Sequence, residues 1–151
     1  MFHSPLQFAP SDLHDPGFYA RRQPAFEARL AMLSDQAAAL HIIQRHFTAK
    51  AGTANPFVSW HANLPDLMAE MVNRLPPPGL AAALRHLGQN IRRHASGLPD
   101  LFIWNAKSYR FIEIKAENDF LSGHQYEWLR VLKAAGINVS LEKITRPVAR
   151  V

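Results

Sequence analysis

The sequence predicts an α/β protein in which a small mixed β-sheet is preceded and flanked by helices. From Pro24 to about residue 95, apolar residues recur every three to four positions, which is the period of an α-helix. Beyond residue 100 the pattern changes to two short strands, a helix and a third strand, in the order β-β-α-β. Helices followed by this order are typical of an α/β domain with a small mixed sheet.

The length and composition suit one compact domain, or one domain with an N-terminal extension. The chain has 151 residues, and 48% of them are apolar, so it can bury a core without covalent cross-links. It contains no cysteine, which excludes disulfides, thiolate zinc sites and cysteine nucleophiles. The net charge of +5 and the pI of about 10.0 favour a polyanionic partner, nucleic acid first.

Neither a secretory signal nor an apolar run of membrane-spanning length is present in the sequence. We therefore expect no membrane partner. The expected location is cytoplasmic, with nucleoid association if the source is bacterial.

Four segments are predicted along the chain. Residues 1–23 contain several prolines among polar residues and are expected to be irregular. Residues 24–95 are expected to form a helical part, and residues 96–145 a core that carries the strands. Residues 146–151 are expected to form a loose tail.

Proline, glycine and capping residues set the predicted helix bounds. Pro24 and Pro65 suit helix starts, and Asp35 offers an N-cap. Gly52 suits a helix end. The predicted helices of the first part cover residues 24–33, 36–52, 65–75 and 79–95. In the core, strands are predicted at residues 101–104, 109–115 and 137–144, and a helix at residues 121–135.

Three residues of the core carry the predicted chemistry. Asp100 opens the first strand, and alternation puts Glu113 and Lys115 on one side of the second. In a hairpin the two carboxylates lie close together, where a hard divalent cation, Mg²⁺ or Mn²⁺, relieves their repulsion. Such an ion polarises a phosphodiester and activates water. Lys115 is expected to orient or deprotonate that water, or to offset charge on the phosphorane.

Each fragment alone has a simpler interpretation. A Pro-Asp pair is more often a turn, and Glu-x-Lys on a strand is more often an exposed charged edge. Their occurrence together, in this order and on these elements, favours the catalytic interpretation.

Basic side chains near these residues are the predicted DNA contacts. A helical face with Arg85, Arg92 and Arg93 leads into the active-site segment, and Lys107 and Arg110 flank the hairpin. A solvated helix face explains the same pattern equally well. Contacts to phosphates would position DNA without reading its sequence, so selection by shape is expected.

Most of the eight histidines are expected to be surface or structural residues. His86 and His94 are eight positions apart, and no arrangement such as H-E-x-x-H occurs. His124 precedes Gln125 and either approaches the phosphate or is solvated.

The core resembles a VRR-NUC domain, a branch of the PD-(D/E)XK nuclease superfamily. The residues that carry the resemblance are Gly97-Leu98-Pro99-Asp100-Leu101, Trp104, Phe111-Ile112-Glu113-Ile114-Lys115, Asp119, Leu121, Ser122, Gln125, Trp128 and Leu129. Upstream, Asn55-Pro56-Phe57-Val58-Ser59-Trp60 and Arg92-Arg93-His94 resemble the C-terminal nuclease part of Fanconi-associated nucleases. The resemblance spans about residues 18–144.

The resemblance implies a restriction-endonuclease-like core, with residues 96–145 as the catalytic part. It implies a Mg²⁺- or Mn²⁺-dependent nuclease that cuts flapped or branched DNA, in DNA repair and interstrand cross-link repair. The implied metal ligands are Asp100, Glu113 and the backbone carbonyl of Ile114. Lys115 is the implied catalytic lysine, and Gln125 helps to build the site. A homodimer is also compatible with the resemblance.

Two departures from the family pattern stand out. Ala116-Glu117 replaces the usual Gly-Pro after the lysine. The glutamate that relatives carry on an upstream helix has no counterpart before residue 18. Glu27 and Glu70 are the candidates for a substitute, although both fall on helices that otherwise look structural. The alternative is a catalytically weakened DNA-binding or interaction domain on the same fold.

Overall fold

A computed structural model describes residues 9–145 of the chain. The predicted tail, residues 146–151, lies outside the described residues. The elements are α1 (Phe18–Ala31), a 3₁₀ turn (Met32–Ser34), α2 (Gln36–Lys50), α3 (Leu64–Arg74), α4 (Pro77–Gln89), α5 (Ile91–His94), β1 (Leu101–Trp104), β2 (Tyr109–Ala116), α6 (Gly123–Ala134) and β3 (Val139–Ile144). None of the described helices has the length and apolar character that crossing a membrane requires.

The sheet has three strands in the order β1-β2-β3 and is mixed. Strands β1 and β2 form an antiparallel hairpin in which Leu101 lies opposite Ile112. Strand β3 returns after α6 and pairs with β2 in parallel, with Phe111 opposite Val139. The predicted fold class, an α/β protein with a small mixed sheet, is therefore confirmed.

One hydrophobic core joins the sheet to the helices. Its buried members are Leu75, Phe111, Trp128, Leu129, Leu132, Ile137 and Val139. Side chains of α3 and α4 pack against this cluster, among them Met71 and Leu80. The helical part and the strand-bearing part therefore share their apolar interior and support each other.

The first helix begins at Phe18, six residues before the predicted start at Pro24. The expectation of an irregular segment through residue 23 is therefore wrong for its last six residues. Phe18 is buried and packs with Leu13 and Ile91 in a second apolar cluster. This burial stabilises the first turns of α1 and offsets the cost of a proline inside the helix.

The long helix predicted over residues 79–95 is broken at Asn90. The backbone of Asn90 leaves the helical region (φ −154°, ψ 82°), and its side chain accepts a hydrogen bond from the Arg93 N–H. Asn90 thus caps a new short helix, α5, as a side-chain acceptor at an N-cap does. Arg85 lies before this break and Arg92 after it, so the predicted common face is wrong.

An ion pair connects α1 with α4. Arg85 donates two hydrogen bonds to the Glu27 carboxylate, at 2.8 and 2.7 Å, and the Tyr19 hydroxyl donates a third. These bonds lower the pKa of Glu27 from 4.5 to about 2, and those from Arg85 have the largest effect. The bidentate geometry fixes the relative position of the two helices.

The loop before β1 lies directly against the start of α6. Gly97 has a φ of +92°, and a Cβ built there would come within 2.6 Å of the His124 backbone carbon and 2.9 Å of the Gln125 nitrogen. Only glycine combines this backbone conformation with so close an approach. The contact fixes the segment that leads to Asp100 relative to α6.

Gly97→Ala is expected to destabilise the fold more than Gly136→Ala. Both glycines have positive φ, but a Cβ at Gly136 meets nothing within 4 Å. Gly136→Ala should therefore lower the free energy of unfolding by about 1–2 kcal/mol, the cost of the backbone conformation. Gly97→Ala should add the cost of the backbone clash. Denaturant unfolding of the two variants measures the loss in the free energy of unfolding for each. Equal losses in the two variants would contradict the close packing at Gly97.

Glu27→Gln is expected to reduce the dependence of stability on acidic pH. A carboxyl group whose pKa is lowered by folding stabilises the protein above its unfolded pKa, and this contribution is lost as the pH falls. For Glu27 the loss should run from about pH 4.5 down to about pH 2. The difference in Tm between the wild type and Glu27→Gln should therefore shrink over this interval. A constant difference would contradict the ionic role of Glu27.

Candidate active site

The site is built around the buried carboxylate of Glu113. Alternation along β2 turns Phe111, Glu113 and Lys115 to the sheet face that α6 covers, and Glu113 is only 1% exposed. Its Oε1 accepts a hydrogen bond of 2.6 Å from the Gln125 amide and lies 2.9 Å from the Lys115 ammonium. These two donors compensate one oxygen of a carboxylate that would otherwise be costly to bury.

The other oxygen of Glu113, Oε2, is buried and has no hydrogen-bond partner among the described residues. An unsatisfied buried carboxylate oxygen is destabilising unless a cation or another donor meets it. The donor set therefore fits a hard divalent cation, which takes carboxylate and carbonyl oxygens as ligands.

Asp100 lies beside this position at the end of the hairpin. Continuing the register of β1 and β2 by one residue places Asp100 opposite Glu113. Its Oδ2 accepts a hydrogen bond of 2.8 Å from the Ile114 N–H, and the residue is exposed. The N–H and the carbonyl of one strand residue point to the same neighbour. The Ile114 carbonyl therefore faces the same edge as Asp100.

Gln125 is held by the start of α6. The Ser122 hydroxyl accepts a hydrogen bond from the Gln125 N–H, and the Gln125 Oε1 accepts one from the Ser122 N–H at 2.9 Å. This capping box leaves the amide Nε2 pointing at Glu113. The helix cap and the active-site contact are thus made by one side chain.

Asp119 and His124 have local partners near the site. The Asp119 carboxylate lies 3.4 Å from the Ala116 N–H in the turn after β2. The His124 Nδ1 lies 2.9 Å from the Ser96 hydroxyl. These contacts secure the turn and the loop on either side of the site.

Neither substitute for the upstream glutamate reaches the site. Glu27 is engaged by Arg85 and Tyr19, and Glu70 accepts a 2.6 Å hydrogen bond from Arg74. Within residues 9–145, no third carboxylate or histidine joins Asp100 and Glu113 in a metal-binding group. The described site therefore offers two carboxylates.

The predicted DNA-binding residues fall into two groups. Three of them are paired: Arg85 with Glu27, Arg93 with Glu127 at 2.9 Å, and Arg110 with Glu142 at 3.7 Å. Arg92 and Lys107 are exposed, and neither side chain forms an ion pair with a described residue. Arg92 and Lys107 therefore have cationic groups available to a polyanion without breaking an ion pair.

Comparisons with known proteins identify the family of this chain and several of its relatives. The family model of the VRR-NUC domain matches residues 34–143. The chain is 32% identical over 146 residues to human Fanconi-associated nuclease 1, covering 93% of this chain and 14% of that protein. It is 32% identical over 155 residues to the Arabidopsis thaliana homolog, covering 99% of this chain and 17% of that protein. The chain thus spans less than a fifth of the length of these two relatives.

Two solved structures share the fold over most of this chain. They are paFAN1 bound to 5′-flap DNA with a gap, carrying flaps of one and two nucleotides. The TM-scores are 0.83 and 0.82, with 33% and 32% sequence identity. Each alignment covers 96% of this chain and 27% of the solved one. The predicted restriction-endonuclease-like fold is confirmed, and the chain belongs to the VRR-NUC domain family.

Proposed function

We propose that this chain is the catalytic part of a metal-dependent, structure-selective nuclease that hydrolyses phosphodiester bonds in flapped or branched DNA. The observation that carries the proposal is the buried Glu113 carboxylate, with one oxygen held by Gln125 and Lys115 and the other without a partner among the described residues. Similarity to nucleases, and to structures that contain 5′-flap DNA, supports the substrate class. Such an enzyme serves DNA repair, including repair of interstrand cross-links.

Asp100, Glu113 and the Ile114 carbonyl are the proposed ligands of a Mg²⁺ or Mn²⁺ ion. All three donors are oxygens, which these hard cations prefer over nitrogen or sulfur. When bound, the ion would polarise the phosphodiester and lower the pKa of a water ligand. The hydrogen bond from Ile114 to Asp100 holds the first carboxylate at the strand end, so that little ordering is needed on binding.

Lys115 and Gln125 position the charges around this centre. The Lys115 ammonium lies on the same sheet face as Glu113 and can offset negative charge that develops on the phosphate in the transition state. Gln125 donates to the oxygen that Lys115 also contacts, and thereby fixes the rotation of the Glu113 carboxylate. Oε2 is then the oxygen directed to the ion.

DNA contacts are proposed to begin at Arg92 and Lys107, whose charges are unpaired among the described residues. Arg93 and Arg110 can join by exchanging a carboxylate partner for a phosphate. Arg85 has a structural role instead, because both of its engaged nitrogens bind Glu27. Contacts of this kind follow the phosphate backbone and select DNA by shape.

A DNA-binding domain with weakened catalysis is the second candidate. The observation that favours it is the pairing of Glu27 and Glu70 with arginines, which leaves two carboxylates at the described site. Two carboxylates hold a divalent cation less tightly than three. The two candidate functions predict different rates of DNA cleavage but the same salt-dependent binding of DNA.

Asp100→Asn and Glu113→Gln are each expected to lower the rate of 5′-flap cleavage by about 10²-fold or more. Each substitution keeps the shape of the side chain and removes the charge that the ion requires. Cleavage of labelled 5′-flap, four-way-junction and duplex DNA with Mg²⁺, Mn²⁺ or EDTA measures the effect. Glu117→Gln is the matched control, since Glu117 is an exposed acid two residues beyond Lys115.

The fold of each variant is checked by circular dichroism and thermal unfolding. Loss of cleavage with the fold retained supports the nuclease. Cleavage by folded Asp100→Asn and Glu113→Gln at the wild-type rate would contradict it. A wild type that binds flap DNA and cuts none of the three substrates would favour the weakened domain.

Arg92→Ala and Lys107→Ala are expected to weaken binding to all DNA sequences alike. Each lost phosphate contact should reduce the slope of log affinity against log salt concentration by about one unit. Arg85→Gln should leave this slope unchanged, because Glu27 already binds that guanidinium. Fluorescence anisotropy at several salt concentrations measures the slopes. If only Arg85→Gln reduced the slope, Arg85 would be the DNA contact, and Arg92 and Lys107 would not.

A further inference from the structure

We propose that His86, His94 and Glu127 form a second metal site, which selects zinc and is independent of the proposed nuclease function. His86 comes from α4, His94 from α5 and Glu127 from α6. Within residues 9–145 this is the one group of three histidines or acids whose ligand atoms all lie within 4.8 Å of one another. Imidazole nitrogens suit Zn²⁺, whereas Mg²⁺ prefers oxygen ligands.

The distances between the ligand atoms are close to those of a zinc site. The Nε2 atoms of His86 and His94 lie 3.8 and 3.6 Å from the Glu127 Oε1. Ligand atoms that are each about 2.0–2.2 Å from a tetrahedral zinc ion are about 3.3–3.5 Å apart. Each of the two histidine nitrogens therefore lies within about half an ångström of the zinc-site spacing from the Glu127 Oε1.

Neighbouring hydrogen bonds orient two of the three ligands. The His94 Nδ1 lies 2.5 Å from the His86 carbonyl oxygen, which can only accept, so Nδ1 carries the proton. In the neutral imidazole, Nε2 is then the nitrogen with the free lone pair, and it faces Glu127. Arg93 holds the other oxygen of Glu127, Oε2, at 2.9 Å. Outer contacts of this kind fix the tautomer and direction of metal ligands in zinc sites.

His86 has the buried nitrogen that such an ion would satisfy. Its Nε2 is inaccessible to solvent and has no hydrogen-bond partner among the described residues. Burial lowers the pKa of His86, and the nearby His94 lowers it further. Both effects favour the neutral imidazole, which is the form that binds a metal. The rings of Trp128 and His86 pack in a T-shaped arrangement with centroids 4.8 Å apart, and the Trp128 indole donates to the His94 carbonyl.

Zinc binding requires one change in the arrangement of the rings. The two imidazoles are stacked, with centroids 3.8 Å apart and planes 14° from parallel, so their lone pairs run side by side. For both to bind one ion, one ring would have to rotate until its lone pair points to the same position beside Oε1 of Glu127. The bound ion would then join α4, α5 and α6 across the break at Asn90.

Direct metal analysis tests this site without reference to cleavage. The full chain is stripped with EDTA, loaded with Zn²⁺ in excess Mg²⁺ to occupy oxygen-ligand sites, and passed through a desalting column. We expect about one Zn²⁺ per chain in the wild type. We expect the same in the control His41→Ala, because His41 is an exposed histidine outside the group. His94→Ala and Glu127→Gln should bind Zn²⁺ about 100-fold more weakly or not at all.

Thermal unfolding and Co²⁺ absorption complete the test. Zn²⁺ should raise the Tm of the wild type and of His41→Ala but not that of Glu127→Gln. Because Glu127→Gln preserves the shape of the side chain, it still tests the site if His94→Ala fails to fold. Co²⁺ in the wild type should show the visible bands of a tetrahedral site with nitrogen ligands. A wild type that retains no Zn²⁺, or a Glu127→Gln variant that retains as much as the wild type, would overturn the proposal.

Discussion

The buried carboxylate of Glu113 is the constraint on which the rest of the site depends. An ionised group that is 1% exposed is destabilising unless its neighbours compensate the charge. Gln125 and Lys115 compensate one oxygen, and the second is left for a cation. Each compensating group comes from an element that also holds the fold together. Lys115 belongs to the central strand, and Gln125 closes the capping box that begins α6. Stability and the proposed chemistry therefore use the same contacts.

The packing around α6 explains how these groups stay in position. The close contact of Gly97 with the backbone of His124 and Gln125 connects the Asp100 loop to the helix that carries Gln125. Trp128 and Leu132 anchor the same helix in the core beneath the sheet. The positions of Asp100 and Gln125 are thus both fixed by α6. A site that binds a small ion needs its ligands held at fixed distances in this way.

Much of the fold and of the candidate site could be predicted from local pattern. Strand alternation places Glu113 and Lys115 on one face, and the predicted starts of β1 and α6 agree with the structure within two residues. The failures arise where a distant contact, or a local side-chain cap, outweighs the apolar periodicity. Burial of Phe18 extends α1 ahead of Pro24, and the cap at Asn90 breaks a helix that periodicity predicts as continuous. That break brings His86 and His94 into contact although their spacing of eight residues gives no signal. The pairing of Arg85 with Glu27, 58 residues away, is equally invisible in local sequence.

Direct binding of Mn²⁺ tests most closely whether the unpaired oxygen of Glu113 is a ligand for a divalent cation. Electron paramagnetic resonance of free Mn²⁺ during titration counts the bound ions in wild type, Glu113→Gln and Glu127→Gln. We predict that Glu113→Gln loses one bound Mn²⁺ relative to the wild type, while Glu127→Gln retains it. Equal Mn²⁺ binding by the wild type and a folded Glu113→Gln would contradict this role of Glu113.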